Sequence, residues 1–402
     1  LTVVTTPTPL GGTVADRVAR LPEIVARLRA ADADAERHRV LQHDEVAALR
    51  DAGVLNLRIP TRYGGPGGSI RDVISAVVDI ASGSSNVAQG LRAHFGFLER
   101  LLSNRATEDE RAEWFPRVNA GLVVGNAITD ALGSAPGSGA TVVAPDADGV
   151  LRLNGYKFYS TGALYADVIA VGASDANGAD VQVIVPADRE GVELFDDWDG
   201  FGQRTTASGS TRFTNVAVDA SEVITASDGR QLAHGTAFLQ LYLAAVSAGI
   251  AAAVKADAVD FLRHRARPAA HSVADRAVDD PFFLHAVGEV SAWASAARTL
   301  VLAAADTLDD LVDRGAENDP DAVAAAAIAV AEAQLVAERL TVDAAERLFD
   351  AGGASATARG LNLDRHWRNV RTVASHSPLD YKAHAAGNYA VNGTPLPGSG
   401  YF

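Results

Sequence analysis

The chain of 402 residues contains no cysteine and no methionine. Without cysteine there is no disulfide, no thiolate nucleophile and no Cys-ligated metal. Ordinary usage would supply several of each sulfur residue, and both fill core gaps well. Their joint absence points to sulfur economy, as would suit an enzyme made when sulfur is scarce; an alanine-rich, GC-biased genome is the competing reading. Basic strips are missing too. Lys and Arg number 35 against 50 Asp and Glu, a net charge of −15, which argues against nucleic acid or an anionic membrane as partner. Leu1 to Leu10 lack the charged end and apolar run of a signal peptide, no bilayer-spanning segment is expected, and the expected location is cytoplasmic. The ten histidines are scattered without paired spacing, so no metal site is expected.

Hydrophobic residues make up 48% of the chain, and a chain of this length normally forms two or three domains. Three regimes follow one another. Over 1–120 apolar residues recur at helical spacing, as in Leu21, Ile24, Val25 and Leu28, with Thr107-Glu108-Asp109-Glu110 as a capped helix start. Over 121–228 short alternating runs such as Val181-Gln182-Val183-Ile184-Val185 predict an antiparallel β domain. Over 229–386 alanine-rich helical patterns return in four stretches, near 233–266, 280–315, 320–351 and 362–385, which predict a four-helix bundle. The Gly/Pro-rich tail 387–402 is expected to be extended.

This helix–sheet–helix order resembles the acyl-CoA dehydrogenase fold over essentially the whole chain. Gly125-Asn126-Ala127-Ile128-Thr129-Asp130, followed by Gly133-Ser134, resembles the segment that runs along the flavin. Asn154 to Gly162, reading Asn-Gly-Tyr-Lys-Phe-Tyr-Ser-Thr-Gly, resembles the strand whose end faces the isoalloxazine. Arg365-His366-Trp367-Arg368-Asn369-Val370-Arg371 stands where the family has "R-x-x-R-D-A-R". Dehydrogenases of this fold then need a carboxylate to remove the α-proton of an acyl thioester. Thr372 to Pro378 has none, and neither does the alternative stretch Tyr242 to Gly249. A general base contributes roughly 10²–10⁴-fold, so its absence argues for another reaction on the same scaffold.

The departures resemble the reduced-flavin-dependent monooxygenases of this fold, and within them dibenzothiophene monooxygenase and related sulfur-acquisition oxygenases. The matching segments are His366-Trp367-Arg368-Asn369-Val370-Arg371-Thr372 with His376-Ser377-Pro378, Asp197 to Gly209, and Arg263-His264-Arg265-Ala266-Arg267-Pro268. Ser377 stands where many relatives have Asp.

The resemblance implies FMN, supplied as FMNH₂ by a separate NAD(P)H:flavin reductase, with FAD as the alternative cofactor. Its reaction with O₂ would give a C4a-hydroperoxyflavin, which oxygenates a small apolar substrate. It also implies a homotetramer. His376 is assigned as acid/base, because an imidazole near neutral pH can give or accept a proton, with a histidine satisfying a buried helix end as the alternative. Ser160 would donate to the flavin edge, His94 would face substrate and Asn126 would bond substrate or flavin. Cofactor contacts are expected from Asn126, Ile128, Thr129, Ser134, Tyr159, Ser160, Arg265, Arg368 and Asn369, with Arg265 reaching a neighbouring subunit. Phe95, Phe97, Phe158 and Trp198 are candidate pocket walls, although aromatics at such spacings are more often core. The competing functions are an FAD-dependent acyl-CoA dehydrogenase, an oxygenase of an aromatic carbon or amine nitrogen, and a non-catalytic flavin-storage protein.

Overall fold

The computed structural model describes residues 11–103, 106–130, 140–225, 234–268 and 270–397. The N-terminal part is helical: α1 Val14–Val18, α2 Leu21–His38, α3 His43–Asp51, α4 Ile70–Gly83, α5 Ser85–Gly90, α6 Arg92–Leu102 and α7 Glu108–Asn119. Capping explains several of the starts. Thr107 accepts from the Glu110 amide while Glu110 reaches back to Thr107, and Ser69 does the same with Asp72 at the head of α4.

The middle part is a sheet of β1 Val124–Ala127, β2 Thr129–Asp130, β3 Val142–Pro145, β4 Leu151–Phe158, β5 Val168–Ser174, β6 Asp180–Pro186, β7 Val192–Leu194, β8 Thr211–Val218 and β9 Val223–Thr225. Its order is β7-β8-β4-β3-β5-β6-β9, with β1 beside β5 and β2 beside β4. Pairing is mostly antiparallel as expected, but β1 runs parallel to β5, with Val124 opposite Val168 and Ala127 opposite Val171. A parallel pair needs a long crossover, and β2 to β4 supply it. The register that matters for the site sets Thr129 opposite Phe158, bringing the end of β1 and the end of β4 to one corner of the sheet.

Three long helices follow: α8 Gly235–His264, α9 Pro281–Asp313 and α10 Pro320–Gly352. Asp280 and Asp319 cap α9 and α10 ahead of a first-turn proline. The expectation of no membrane-length run needs correcting, since Gly235 to Val254 carries no charge over 20 residues. Composition alone would allow α8 to span a bilayer, but 89% of its most apolar window is buried inside the protein. It packs against α4, α9 and α10, as a helix apolar all round must.

The fourth expected helix is two helices, α11 Arg365–Ala374 and α12 Leu379–Asn392. Pro378 disfavours helical geometry at the residue before it, so the chain turns at Ser375-His376-Ser377. The extended tail is also corrected, because α12 continues through Gly387 and stops at Gly393, which takes φ +67°. A helical glycine costs only about 1 kcal/mol, which the burial of Lys382, Ala385 and Ala386 offsets. Residues 398–402 lie outside the described residues.

Candidate flavin and substrate site

The corner where β1 and β4 meet holds two polar atoms that the protein leaves unpaired. Ser160 is fully buried, and its Oγ has no hydrogen-bond partner; the same holds for the buried Oδ1 of Asn126. Buried polar groups normally find a partner; these two share one corner with exposed apolar and aromatic side chains, which leaves them available to a bound molecule. Lys157, buried beneath them, pairs with Asp130 at 2.6 Å and donates to the Ile128 carbonyl at 3.0 Å, which locks β2 onto β4. Just beyond, Tyr159 takes φ +55° and is 60% exposed. It packs edge-on to Trp198 at 5.8 Å and neighbours Phe158 at 6.3 Å. Ile128 is also exposed. An apolar and aromatic shelf rimmed by unpaired hydrogen-bonding atoms suits a planar heteroaromatic ring, so the residues present fit a flavin.

The facing wall is the junction of α5 and α6. Gly162, at φ +76°, lies so close that an added Cβ would sit 2.1 Å from the Gly90 carbonyl oxygen, and only glycine permits that approach. Two residues beyond Gly90, Arg92 donates to Nε2 of His376 at 3.3 Å and to the Leu239 carbonyl at 3.3 Å. Thus Ser160, Arg92 and His376 belong to one neighbourhood built from the sheet, the N-terminal helices and the turn before α12.

His376 remains reachable by solvent in the single chain. Desolvation, with the nearby Arg92 and Lys382 cations, lowers its pKa to about 3. Its expected role as a neutral-pH acid or base therefore changes: the ring is neutral, Nε2 accepts from Arg92, and the proton sits on Nδ1. Behind it, burial brings Lys382 down to about 8 despite Glu338, and burial raises Glu338 to about 7 while Gln334 donates to its Oε1 at 2.7 Å. No carboxylate figures among the groups acting on His376.

Several expected site residues lie elsewhere. His94 is fully buried, with Nε2–H donating to the Leu55 carbonyl at 2.7 Å and Nδ1 accepting from the Val124 amide at 3.3 Å. Its ring is a structural pin, not a substrate contact. Phe95 packs on Tyr242 and Phe97 edge-on to Trp114, both in the main core. Arg368 is consumed by Glu36, Asp364 and the Asn362 side chain. Asn369 accepts from the Gln203 amide at 2.7 Å and donates to Ser85 at 3.2 Å. These two hold α11 onto the 199–210 loop, α2 and α5, and Arg368 keeps no N–H for a phosphate. Arg265, exposed at the far end of α8, is about 40 Å along the helix from Leu239 at 1.5 Å per residue, too far to reach this chain's own Ser160. Thr129 is exposed at the sheet corner, and Ser134 lies outside the described residues.

Sequence reasoning gave no role to Arg92, Lys382 or Glu338. Gln334 and Glu338, polar at i and i+4 on an apolar helix, were the available signal. Among the described residues no group of three or more His, Asp or Glu could hold a metal. Two open clefts, of 770 Å³ on the sheet near Arg189 and 470 Å³ between α2 and α3, contain none of the unpaired atoms described above.

The chain matches the acyl-CoA dehydrogenase N-terminal domain over 12–122, the middle domain over 127–216 and the C-terminal domain over 241–381. It is 33% identical over 355 residues to the probable FMNH₂-dependent monooxygenase SfnC of Pseudomonas putida, covering 86% of this chain and 87% of that one. The FMN-bound structure of TdsC, a dibenzothiophene monooxygenase from Paenibacillus sp. A11-2, superposes with a TM-score of 0.87 at 28% identity, covering 96% and 100% of the two chains. Methanesulfinate monooxygenase MsuC from Pseudomonas fluorescens superposes at 0.85 with 30% identity, covering 96% and 99%. With three family domains in order and a corner shaped for a flavin, the chain belongs to the acyl-CoA dehydrogenase family, in its branch of monooxygenases that use FMN.

Proposed function

We propose that the protein is the oxygenase component of a two-component system that receives reduced FMN from a separate NAD(P)H:flavin reductase and oxygenates a small organosulfur compound. The unpaired, fully buried Ser160 Oγ carries this reading. A hydroxyl held dry with no protein partner can give its hydrogen bond to the flavin edge, and excluding water protects activated oxygen. The total absence of sulfur from the chain and the sulfur compounds named for its relatives TdsC and MsuC support the substrate class.

Bound reduced FMN supplies the two electrons that activate O₂. Tyr159 and Trp198 provide its shelf, Asn126 and Ser160 its polar edge. His376, neutral and oriented by Arg92, offers Nδ1–H as a donor without releasing a proton at neutral pH, so it can align an oxygen without discharging it. The missing thioester base and the placement of Arg265 both agree with this reading; Arg265 serves a neighbouring subunit's cofactor in a homotetramer.

Stopped-flow mixing of the protein and anaerobic reduced FMN with O₂ tests it. A transient absorbing species ahead of oxidised flavin, with product formed when an organosulfur compound is present, is the expected result. Reoxidation at the rate of free flavin, together with reduction of FAD-loaded protein by an acyl-CoA, would replace it with the dehydrogenase.

A further inference from the structure

Arg92 stands partly buried with no carboxylate within ion-pair distance among the described residues, although most of the chain's arginines that carry structural roles are paired. Burial lowers its pKa only to about 10, so it is a cation. Of its five N–H groups, one goes to the Leu239 carbonyl and one to the neutral His376 ring. Neither partner supplies negative charge. Around it stand Tyr242 on α8, which acts on Arg92, and Lys382 on α12, which acts on His376. Glu338 on α10 and Arg371 on α11 lie one layer further out, and Glu338 faces Lys382. The neighbourhood is positive on balance inside a protein of net charge −15. A half-buried guanidinium with no carboxylate partner is a ready anion site, and its planar fork matches a pair of oxygens on one atom.

Resting on the oxygenase reading above, we propose that Arg92, oriented by His376, is the specificity element that makes the enzyme select a sulfur oxyanion, an alkanesulfinate, over a neutral thioether or thiophene. A neutral sulfur compound would leave the cation uncompensated in a site that must be dry. A sulfinate places its two oxygens on Arg92 and keeps the lone pair on sulfur free for the flavin side. In the reaction the sulfur lone pair forms a new S–O bond to one atom of O₂ while the O–O bond breaks. The second oxygen atom leaves as water, and reduced FMN supplies the two electrons and two protons. The sulfinate becomes a sulfonate. The alkyl group would then lie away from Arg92, so the site sets no strong demand on chain length.

The test compares wild type, Arg92→Gln and Arg92→Lys, with reductase-supplied reduced FMN, on methanesulfinate and dibenzothiophene, and titrates methanesulfinate calorimetrically into the purified protein. Wild type should bind methanesulfinate and convert it in preference to dibenzothiophene. Arg92→Gln should raise KM and weaken calorimetric binding at least 10-fold with kcat less affected, and Arg92→Lys should fall between. If Arg92→Gln does not fold, as read by circular dichroism, Arg92→Lys decides, and a KM equal to wild type overturns the assignment. Oxygenation of dibenzothiophene without binding of methanesulfinate overturns the anion proposal and spares the organosulfur oxygenase. Oxygenation of neither compound overturns both.

Discussion

His94 and Leu55 are joined by a 2.7 Å hydrogen bond from Nε2–H to the carbonyl, while the other ring nitrogen accepts from Val124. One buried imidazole thereby ties α6 both to the N-terminal core and to the first strand of the sheet. Removing it strands a buried acceptor and a buried donor, at about 1–3 kcal/mol for each. His94→Ala should therefore lose stability in urea denaturation far more than it loses turnover per folded molecule. Burial lowers the His94 pKa to about 4, so its contribution is complete above 6.5 and is lost as pH falls through 4. The variant should accordingly show a shallower acid limb than wild type.

A second buried histidine has the opposite sign. His234 Nε2 lies 3.2 Å from Glu99, its Nδ1 bonds Glu317, and Arg58 meets Glu99 at 2.5 Å. Burial alone would lower the His234 pKa, but the bonds to Glu317 and Glu99 outweigh it and push it up to about 9. Stability from this group is therefore full below 6.5 and lost as pH rises through 9. Thermal melts should show Tm declining over that window. Glu99→Gln should weaken the dependence to the part that Glu317 maintains and cost about 3–5 kcal/mol, because buried Arg58 loses its carboxylate and His234 loses one of its two.

How far the sequence carried these conclusions depended on whether a feature is local. The cap at Thr107 and the alternation of β6 are local, and they are where the sequence places them. Helix phase is not. His94 and Arg92 lie two residues apart, and periodicity alone did not show which would face the flavin corner and which the core. Arg368 and Asn369 matched a family motif, yet their partners Glu36 and Gln203 lie far away in the chain, so only the fold reveals that they are already engaged. Gly387 is helical and not extended because the packing of α12 on α10, a tertiary contact, overrides its low propensity.

Ser160→Ala separates a site residue from a structural one. The Oγ has no partner in the protein, so its removal deletes an unsatisfied polar atom and should leave Tm unchanged or slightly raised. Oxygenation should nonetheless fall at least about 10-fold, the scale of a lost transition-state hydrogen bond of roughly 1.4 kcal/mol or more. The uncoupled fraction, read as hydrogen peroxide per reduced FMN consumed, should rise. A variant that is destabilised but fully coupled would place the hydroxyl in the architecture and not in the chemistry.

Glu338 offers the sharpest pH signature in the bundle. Burial raises its pKa to about 7 against the opposing influence of Gln334, Lys382 and Arg371, and its second carboxylate oxygen is unpartnered. A raised carboxyl pKa means the folded state holds a proton that the unfolded state releases near 4.5. Its stabilising contribution is therefore complete below 4.5 and is lost as pH rises through 7. Glu338→Gln keeps the shape and an amide but cannot ionise. The difference in unfolding free energy between variant and wild type, followed by urea denaturation from pH 5 to 8, should shift steadily in the variant's favour and then level off. His94 and His376 titrate in an overlapping range with the opposite sign, but they are common to both proteins and cancel in the difference. Parallel pH profiles would mean that Glu338 is ionised throughout, held by Lys382 as a buried ion pair instead of a neutral acid.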